Sequence, residues 1–249
     1  MSDVVLRTNA IPIYGFLSYI MGVIPAAERA VKPKILDCGA GGPLPPLALF
    51  AQQGFEAIGI DISDEQLERS RQFCVDHNIP VEFRKADMRQ IPFEANTFDY
   101  VYEHYSMCHL DHAGAVQAVS EMLRVLKPGG MAFIGVISTD SWPSTLFGKE
   151  HRTGEFVGAE GAHTQVTHSL WKDVESDQLV AAWEVVDKEK RINYLRDMAA
   201  EVSIETWMDL LRESPQGSSA EEWRAAYPHR QDYYRYVHTY YYLRKPQMA

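Results

Sequence analysis

Ile35-Leu36-Asp37-Cys38-Gly39-Ala40-Gly41-Gly42-Pro43 is an apolar run that passes into glycines and then into Pro43, Pro45 and Pro46. The run suits a buried strand, and the prolines suit the first turn of a helix, whose N–H groups have no internal partner. Glycines between a strand and a helix let the backbone come close to a ligand held over the turn. A tight strand-to-helix turn uses glycine for conformation alone, so the neighbouring elements decide.

Asp61 closes the next apolar run, Ala57-Ile58-Gly59-Ile60, and follows Gly41 by 20 residues (61 − 41). An acid at the end of a second strand lies beside such a turn and accepts hydrogen bonds from two ribose hydroxyls, at the offset of nucleoside-binding α/β folds. Its alternative role is to stabilise the following helix through the helix dipole.

Outward from these two points, short β-rich runs alternate with helical segments. Strands are expected at Lys34–Cys38, Ala57–Asp61, Val81–Lys85, Phe98–Tyr102 and Met131–Ser138, and helices at Leu44–Gln53, Asp64–His77 and Ala113–Leu126. In the last helix Val116, Val119, Leu123 and Leu126 form an apolar stripe. Ser63 with Gln66 has the form of a capping box, and Lys127-Pro128-Gly129-Gly130 separates a helix from a strand. This rhythm means an α/β, doubly wound, mostly parallel sheet with helices on both faces. Thr139–Ser169 carries Gly148, Gly154, Gly158 and Gly161 with little periodicity and reads as a long loop. A helix over Asp173–Trp183, a strand over Val185–Tyr194, a helical stretch over Met198–Gln231 and an aromatic strand over Tyr233–Arg244 complete the chain.

The chain's 249 residues suit one large domain, with a core at 34–138 and N-terminal helical cover over 1–33. Its C-terminal part, 170–249, completes the sheet and includes the helical insertion 198–231. The 24 basic and 34 acidic side chains leave a net charge of −10, which repels phosphate backbones, so no nucleic-acid partner is expected. Cys38, Cys74 and Cys108 form no CxxC pair and suit a reducing compartment. The apolar stretch Ile11–Ile24 is interrupted by Pro12 and Gly15 and is too short to span a bilayer, and no cationic segment precedes it. The expectation is a cytoplasmic protein with no membrane partner.

Taken in order, these motifs resemble the class I S-adenosylmethionine-dependent methyltransferases, in particular the small stand-alone enzymes of that superfamily. Ile35–Gly41 looks like their first motif and Asp61 like their ribose-binding acid. Lys85-Ala86-Asp87-Met88-Arg89-Gln90-Ile91-Pro92-Phe93 is similar to their adenine-binding turn, Phe98-Asp99-Tyr100-Val101 to their fourth strand, and Val125–Gly130 to the turn before their fifth. The resemblance covers Ile35 to Ser138 and implies a Rossmann-like, seven-stranded methyltransferase fold with S-adenosylmethionine as cofactor and S-adenosylhomocysteine as product. It also implies that Gly39, Ala40 and Gly41 face the methionine part, with Asp37 anchoring the turn. Asp61 would take the ribose hydroxyls and Ile62 would pack on adenine. Asp87 would accept from the adenine amino group and the Met88 N–H would reach a ring nitrogen. Glu103 and His104 would border the methionine and acceptor site, and Tyr14 or Tyr19 would line the pocket.

Glu103–His112 holds three histidines, a cysteine and two carboxylates, but their spacing matches no closed zinc pattern, and no metal is expected. His104 and His109 are the candidates for a general base. A small organic acceptor fits the acidic charge and a coverable pocket; a protein or peptide acceptor is the alternative. Two other classes compete: a nicotinamide oxidoreductase, against which Leu44 occupies the third glycine's place counted from Gly39, and a non-catalytic cofactor-binding protein. Thr139–Ser169 is expected to be a mobile lid, with Trp142, Phe147 and Phe156 as apolar cover. Trp207, Leu211 and Trp223 in the helical insertion suit packing on the sheet edge or a homodimer contact.

Overall fold

The computed structural model of the chain describes residues 11–22, 32–141, 144–160, 163–194 and 235–247. Five strands run parallel in the order β3-β2-β1-β4-β5: β1 (Lys34–Cys38), β2 (Glu56–Asp61), β3 (Glu82–Lys85), β4 (Phe98–Tyr102) and β5 (Leu126–Ser138). On the free side of β5, β10 (Arg235–Arg244) pairs antiparallel, and β9 (Glu184–Tyr194) pairs antiparallel with β10. These seven strands make the doubly wound, mostly parallel sheet that the strand–helix rhythm implies, and three further strands bring it to ten rather than the expected seven.

Helices cover both faces. On one, α1 (Ile11–Gly22), α2 (Leu47–Gln52) and α3 (Asp64–Asp76) bury Ile13, Phe16, Leu47, Phe50 and Phe73 against Ile35, Tyr102, Phe133 and Tyr240. On the other, α4 (His112–Val125) and the end of α5 (Asp173–Leu179) pack on Leu36, Val101, Ile134 and Tyr241. The buried stripe of α4 is Ala115, Ala118, Val119, Met122 and Val125, whereas Val116 is exposed. The stripe expected from the bulky residues is thus rotated, because alanines let the helix sit close to the sheet.

The capping box is half formed. Ser63 Oγ accepts from the Gln66 N–H at 3.3 Å, but the Ser63 N–H goes to Asp61 Oδ1 at 2.8 Å. Lys127–Gly130 is counted within β5, where it bulges out between the pairs Phe98–Leu126 and Tyr100–Met131. Pro128 and a Gly129 at φ +76° account for the break.

Thr139–Ser169 differs from expectation: it is not a loop. It contains β6 (Lys149–Arg152), β7 (Glu155–Glu160) and most of β8 (His163–Trp171), an antiparallel meander whose last strand joins the tip of β5 through Ile137–Leu170 and Ser138–Trp171. Gly154 (φ +74°) makes the turn between β6 and β7, Gly148 (φ +99°) leads into β6, and the edge strand Lys149-Glu150-His151-Arg152 has no apolar residue to signal a strand. Phe147 and Phe156 are buried with Cys108, Ile137 and Leu170. The helical insertion expected over 198–231, with Trp207, Leu211 and Trp223, lies outside the described residues, as does Trp142. Among the described residues, no helix is long and apolar enough to cross a membrane.

Phe133 carries the contact between α1 and the sheet: its ring lies 5.5 Å from Phe16 and 5.3 Å from both Tyr240 and Tyr242. Phe133→Ala should lower stability by about 3–5 kcal/mol, read as a shift of the chemical-denaturation midpoint with an unchanged slope.

Candidate functional site

The C-terminal ends of the parallel strands bring Cys38, Asp61, Lys85 and Tyr102 to one edge of the sheet, with the glycine turn folded over it. Gly39 and Ala40 donate their N–H groups to the Ile60 carbonyl at 2.7 and 2.9 Å, and the Gly41 N–H reaches Asp61 Oδ2 at 3.0 Å. The buried Ser70 hydroxyl holds the turn from below, donating to the carbonyls of Ala40 (2.7 Å) and Gly42 (2.9 Å). The turn is therefore bonded to β2 and α3 throughout.

Gly39 sits at φ +103°, and a Cβ there would lie 2.1 Å from Ser106 Oγ. At Gly41 a Cβ would fall 2.6 Å from Asp61 Oδ2. Both glycines are demanded by the protein's own packing: one admits Ser106, the other admits the carboxylate. Asp61 spends one lone pair of each oxygen on Gly41 and Ser63 and keeps others for a ligand. Beside it Ile62 is 64 % exposed, an apolar surface next to a partly exposed acid.

Asp37 lies buried beneath the turn, where the Tyr102 hydroxyl donates to its Oδ2 at 2.7 Å. Burial pushes its pKa up to about 8, although Tyr102 pulls the other way. Glu103 is likewise buried, and burial raises it to about 7 against the opposing pull of N–H donors. Its Oε1 accepts from Gly135 at 2.8 Å and its Oε2 from Met107 at 3.0 Å. β4 ends at Tyr102, so this carboxylate takes the N–H that β5 would otherwise offer to a strand. Asp87 is engaged at the surface by the guanidinium of Arg89, which holds its carboxyl below the usual range. Met88 packs on the second core cluster, near Gly39.

Past Glu103 the backbone turns sharply, with Tyr105 at φ +62°. That conformation is costly for a tyrosine. It places the Tyr105 ring 4.0 Å from His104 and 4.6 Å from His238, and its hydroxyl 3.1 Å from that of Tyr240. His238 and Tyr240 stack at 5.5 Å, and Tyr236 stands 4.5 Å from His238. The alternation of β10 put these rings on one face, which sequence reasoning treated only as an aromatic strand. The repeat Tyr236-x-His238-x-Tyr240-x-Tyr242 was the signal available.

The other expected residues lie apart. His109 is held by the Thr167 carbonyl at 3.2 Å and stands beside His168, toward the meander. Tyr19 packs on Tyr242, two residues beyond Tyr240 and away from His104, and Tyr14 is exposed on α1. Among the described residues, no group of three or more His, Cys, Asp or Glu is placed to hold a metal.

Residues 35–130 match the family model described as a methyltransferase domain. The chain is 36 % identical over 138 residues to the sterol 24-C-methyltransferase of Schizosaccharomyces pombe, covering 53 % of this chain and 33 % of that protein. It is 36 % identical over 110 residues to cycloartenol-C-24-methyltransferase 1 of Oryza sativa, covering 42 % and 31 %. The chain thus spans about a third of the length of these relatives. Among solved structures, a methyltransferase described as S-adenosylmethionine-dependent from Methanosarcina mazei superposes with a TM-score of 0.62 at 18 % identity, over 88 % of this chain and 95 % of that one. A Bacillus halodurans protein described as a putative methyltransferase gives 0.62 at 20 % identity, over 94 % and 100 %.

The two buried carboxyls set a pH dependence. Both hold protons more tightly in the folded protein than in the unfolded chain, where acids titrate near pH 4. The folded state then binds more protons between about pH 4 and 8, and stability falls as pH rises through that window. Melting temperatures measured from pH 5 to 8.5 should decline, and Asp37→Asn should flatten the decline. An unchanged slope in the variant rejects Asp37 as its source.

Proposed function

We propose that this chain, whose residues 35–130 match a methyltransferase domain, is a class I S-adenosylmethionine-dependent methyltransferase that transfers a methyl group to a small organic acceptor. The observation that carries this is the Asp61 carboxylate bonded to the Gly41 N–H at 3.0 Å, beside an exposed Ile62. The glycine turn, a partly exposed acid and an apolar platform fit the methionine end, ribose and adenine of that cofactor in turn. S-adenosylmethionine, when bound, supplies a methyl already activated on a sulfonium.

The chain's own residues then have three tasks. Gly39, Ala40 and Gly41 hold the backbone close, with Asp37 and Ser70 bracing the turn. Asp61 receives ribose hydroxyls, Ile62 packs on the adenine, and Asp87 with the Met88 N–H borders the base. Glu103 shapes the chain past β4, where His104 faces the acceptor. Orientation and exclusion of water supply most of the acceleration in such a transfer, so the walls count for more than any single group. The β6–β8 meander stands at the tip of β5 as one such wall. A small acceptor is supported by the net charge of −10, which opposes polyanions, and by relatives whose names denote small-molecule substrates.

Asp61→Ala removes a charged acceptor worth about 1.5–3 kcal/mol, roughly one to two decades in Kd. Calorimetry should show S-adenosylmethionine and S-adenosylhomocysteine weakened alike, because both carry the ribose. Undiminished binding of both rejects the assignment. Gly39→Val should abolish binding of either, because the side chain would displace Ser106. Tight binding with an unaltered far-ultraviolet spectrum would place the cofactor elsewhere.

A further inference from the structure

His238 takes no part in the cofactor site, yet it is 2 % exposed and its Nδ1 is buried without a hydrogen-bond partner among the described residues. His104 Nε2 is buried and unpartnered in the same way. A buried imidazole nitrogen left bare costs free energy unless something completes it. The two rings share one neighbourhood. Tyr105 touches both, at 4.0 and 4.6 Å, and Tyr240 lies nearly parallel to both, at 6.5 and 5.5 Å. Tyr236 closes the far side of His238. Gly135, opposite Tyr240 across the β5–β10 pair, leaves the space in which that ring lies: a Cβ there would fall 2.8 Å from it.

The arrangement is held from below. Glu103 ties Gly135 to Met107, so the strained Tyr105 stands where β4, β5 and β10 converge. Strain that is over-determined by surrounding bonds collects at binding sites. Among His104, Tyr105, His238 and Tyr240 the buried side-chain polar atoms without a partner are His104 Nε2 and His238 Nδ1; the Tyr105 and Tyr240 hydroxyls answer each other.

We propose that His104 and His238 form a paired-imidazole subsite for the methyl acceptor, in which a bare nitrogen receives the O–H or N–H of a planar phenol or heteroaromatic ring packed against the tyrosines. This rests on the methyltransferase reading above and extends it to the acceptor. His238 is then a catalytic residue on the last strand. The acceptor's oxygen or nitrogen forms a bond to the methyl carbon as the carbon–sulfur bond breaks, and the sulfur keeps that electron pair. The acceptor's proton passes to an imidazole nitrogen. Burial lowers both imidazoles to about pKa 3, with His104 adding to the lowering at His238, so at neutral pH both rings are neutral. A freshly methylated oxygen that still carries its proton is a far stronger acid than an imidazolium, so weakly basic nitrogens suffice.

Two probes separate hydrogen bonding from packing: 4-nitrophenol, which has an O–H, and 4-nitroanisole, which lacks it but keeps the ring. Both are titrated by absorbance into the full chain saturated with S-adenosylhomocysteine. The wild type should bind 4-nitrophenol at least tenfold more tightly than 4-nitroanisole. His238→Phe should erase most of that difference while leaving S-adenosylhomocysteine affinity within threefold of wild type. His104→Phe serves as an independent variant, and circular dichroism confirms that each folds. If the wild type binds the two probes equally, or binds neither while binding S-adenosylhomocysteine, the subsite is overturned. Equal loss of both probes in the variants assigns His238 to packing and overturns it as well. If S-adenosylhomocysteine itself fails to bind wild type, it is the methyltransferase reading that falls.

Discussion

The buried carboxylate of Glu103 is the constraint on which both halves of the site depend. β5 runs on past the last residue of β4, and its Gly135 N–H would otherwise be left without a strand partner. A side chain from the residue following β4 answers it. The same carboxylate turns to the Met107 N–H and so fixes the path of the chain between them. An uncompensated carboxylate in the core would be prohibitive. Several N–H donors and a raised proton affinity make its burial tolerable.

From that buckle the structure is organised in two directions. Toward β1, Ser106 is delivered against Gly39 and donates to its carbonyl at 3.2 Å, which is why a side chain is excluded there. Toward β10, Tyr105 is forced into a left-handed conformation and its ring is carried over His238. The glycine turn and the aromatic cluster are thus neighbours through four consecutive residues. A change at Glu103 would disturb both.

The meander illustrates how a wall is built without a strong local signal. β6 is polar throughout, and β7 and β8 mix polar and apolar residues without strict alternation, so the local strand signal is weak. Their order comes instead from pairing with each other and from the two residues of β8 that extend β5. The buried Glu155 ties this unit to the body, accepting the His112 N–H at 2.9 Å at the start of α4.

The strand–turn–helix at Ile35–Pro43, Asp61 at its offset and the alternation of β1 to β5 were legible in the sequence because each is local: glycine spacing, apolar runs and prolines act over a few residues. The aromatic cluster was not. His238 and Tyr240 lie more than 130 positions from His104 and Tyr105 and meet them only because β10 enters antiparallel beside β5. Nor could local pattern show that Gly39 makes room for Ser106 or that Thr139–Ser169 pairs into strands. Such contacts are decided by which strand edges remain unpaired once the sheet has formed, and only the tertiary structure holds that information.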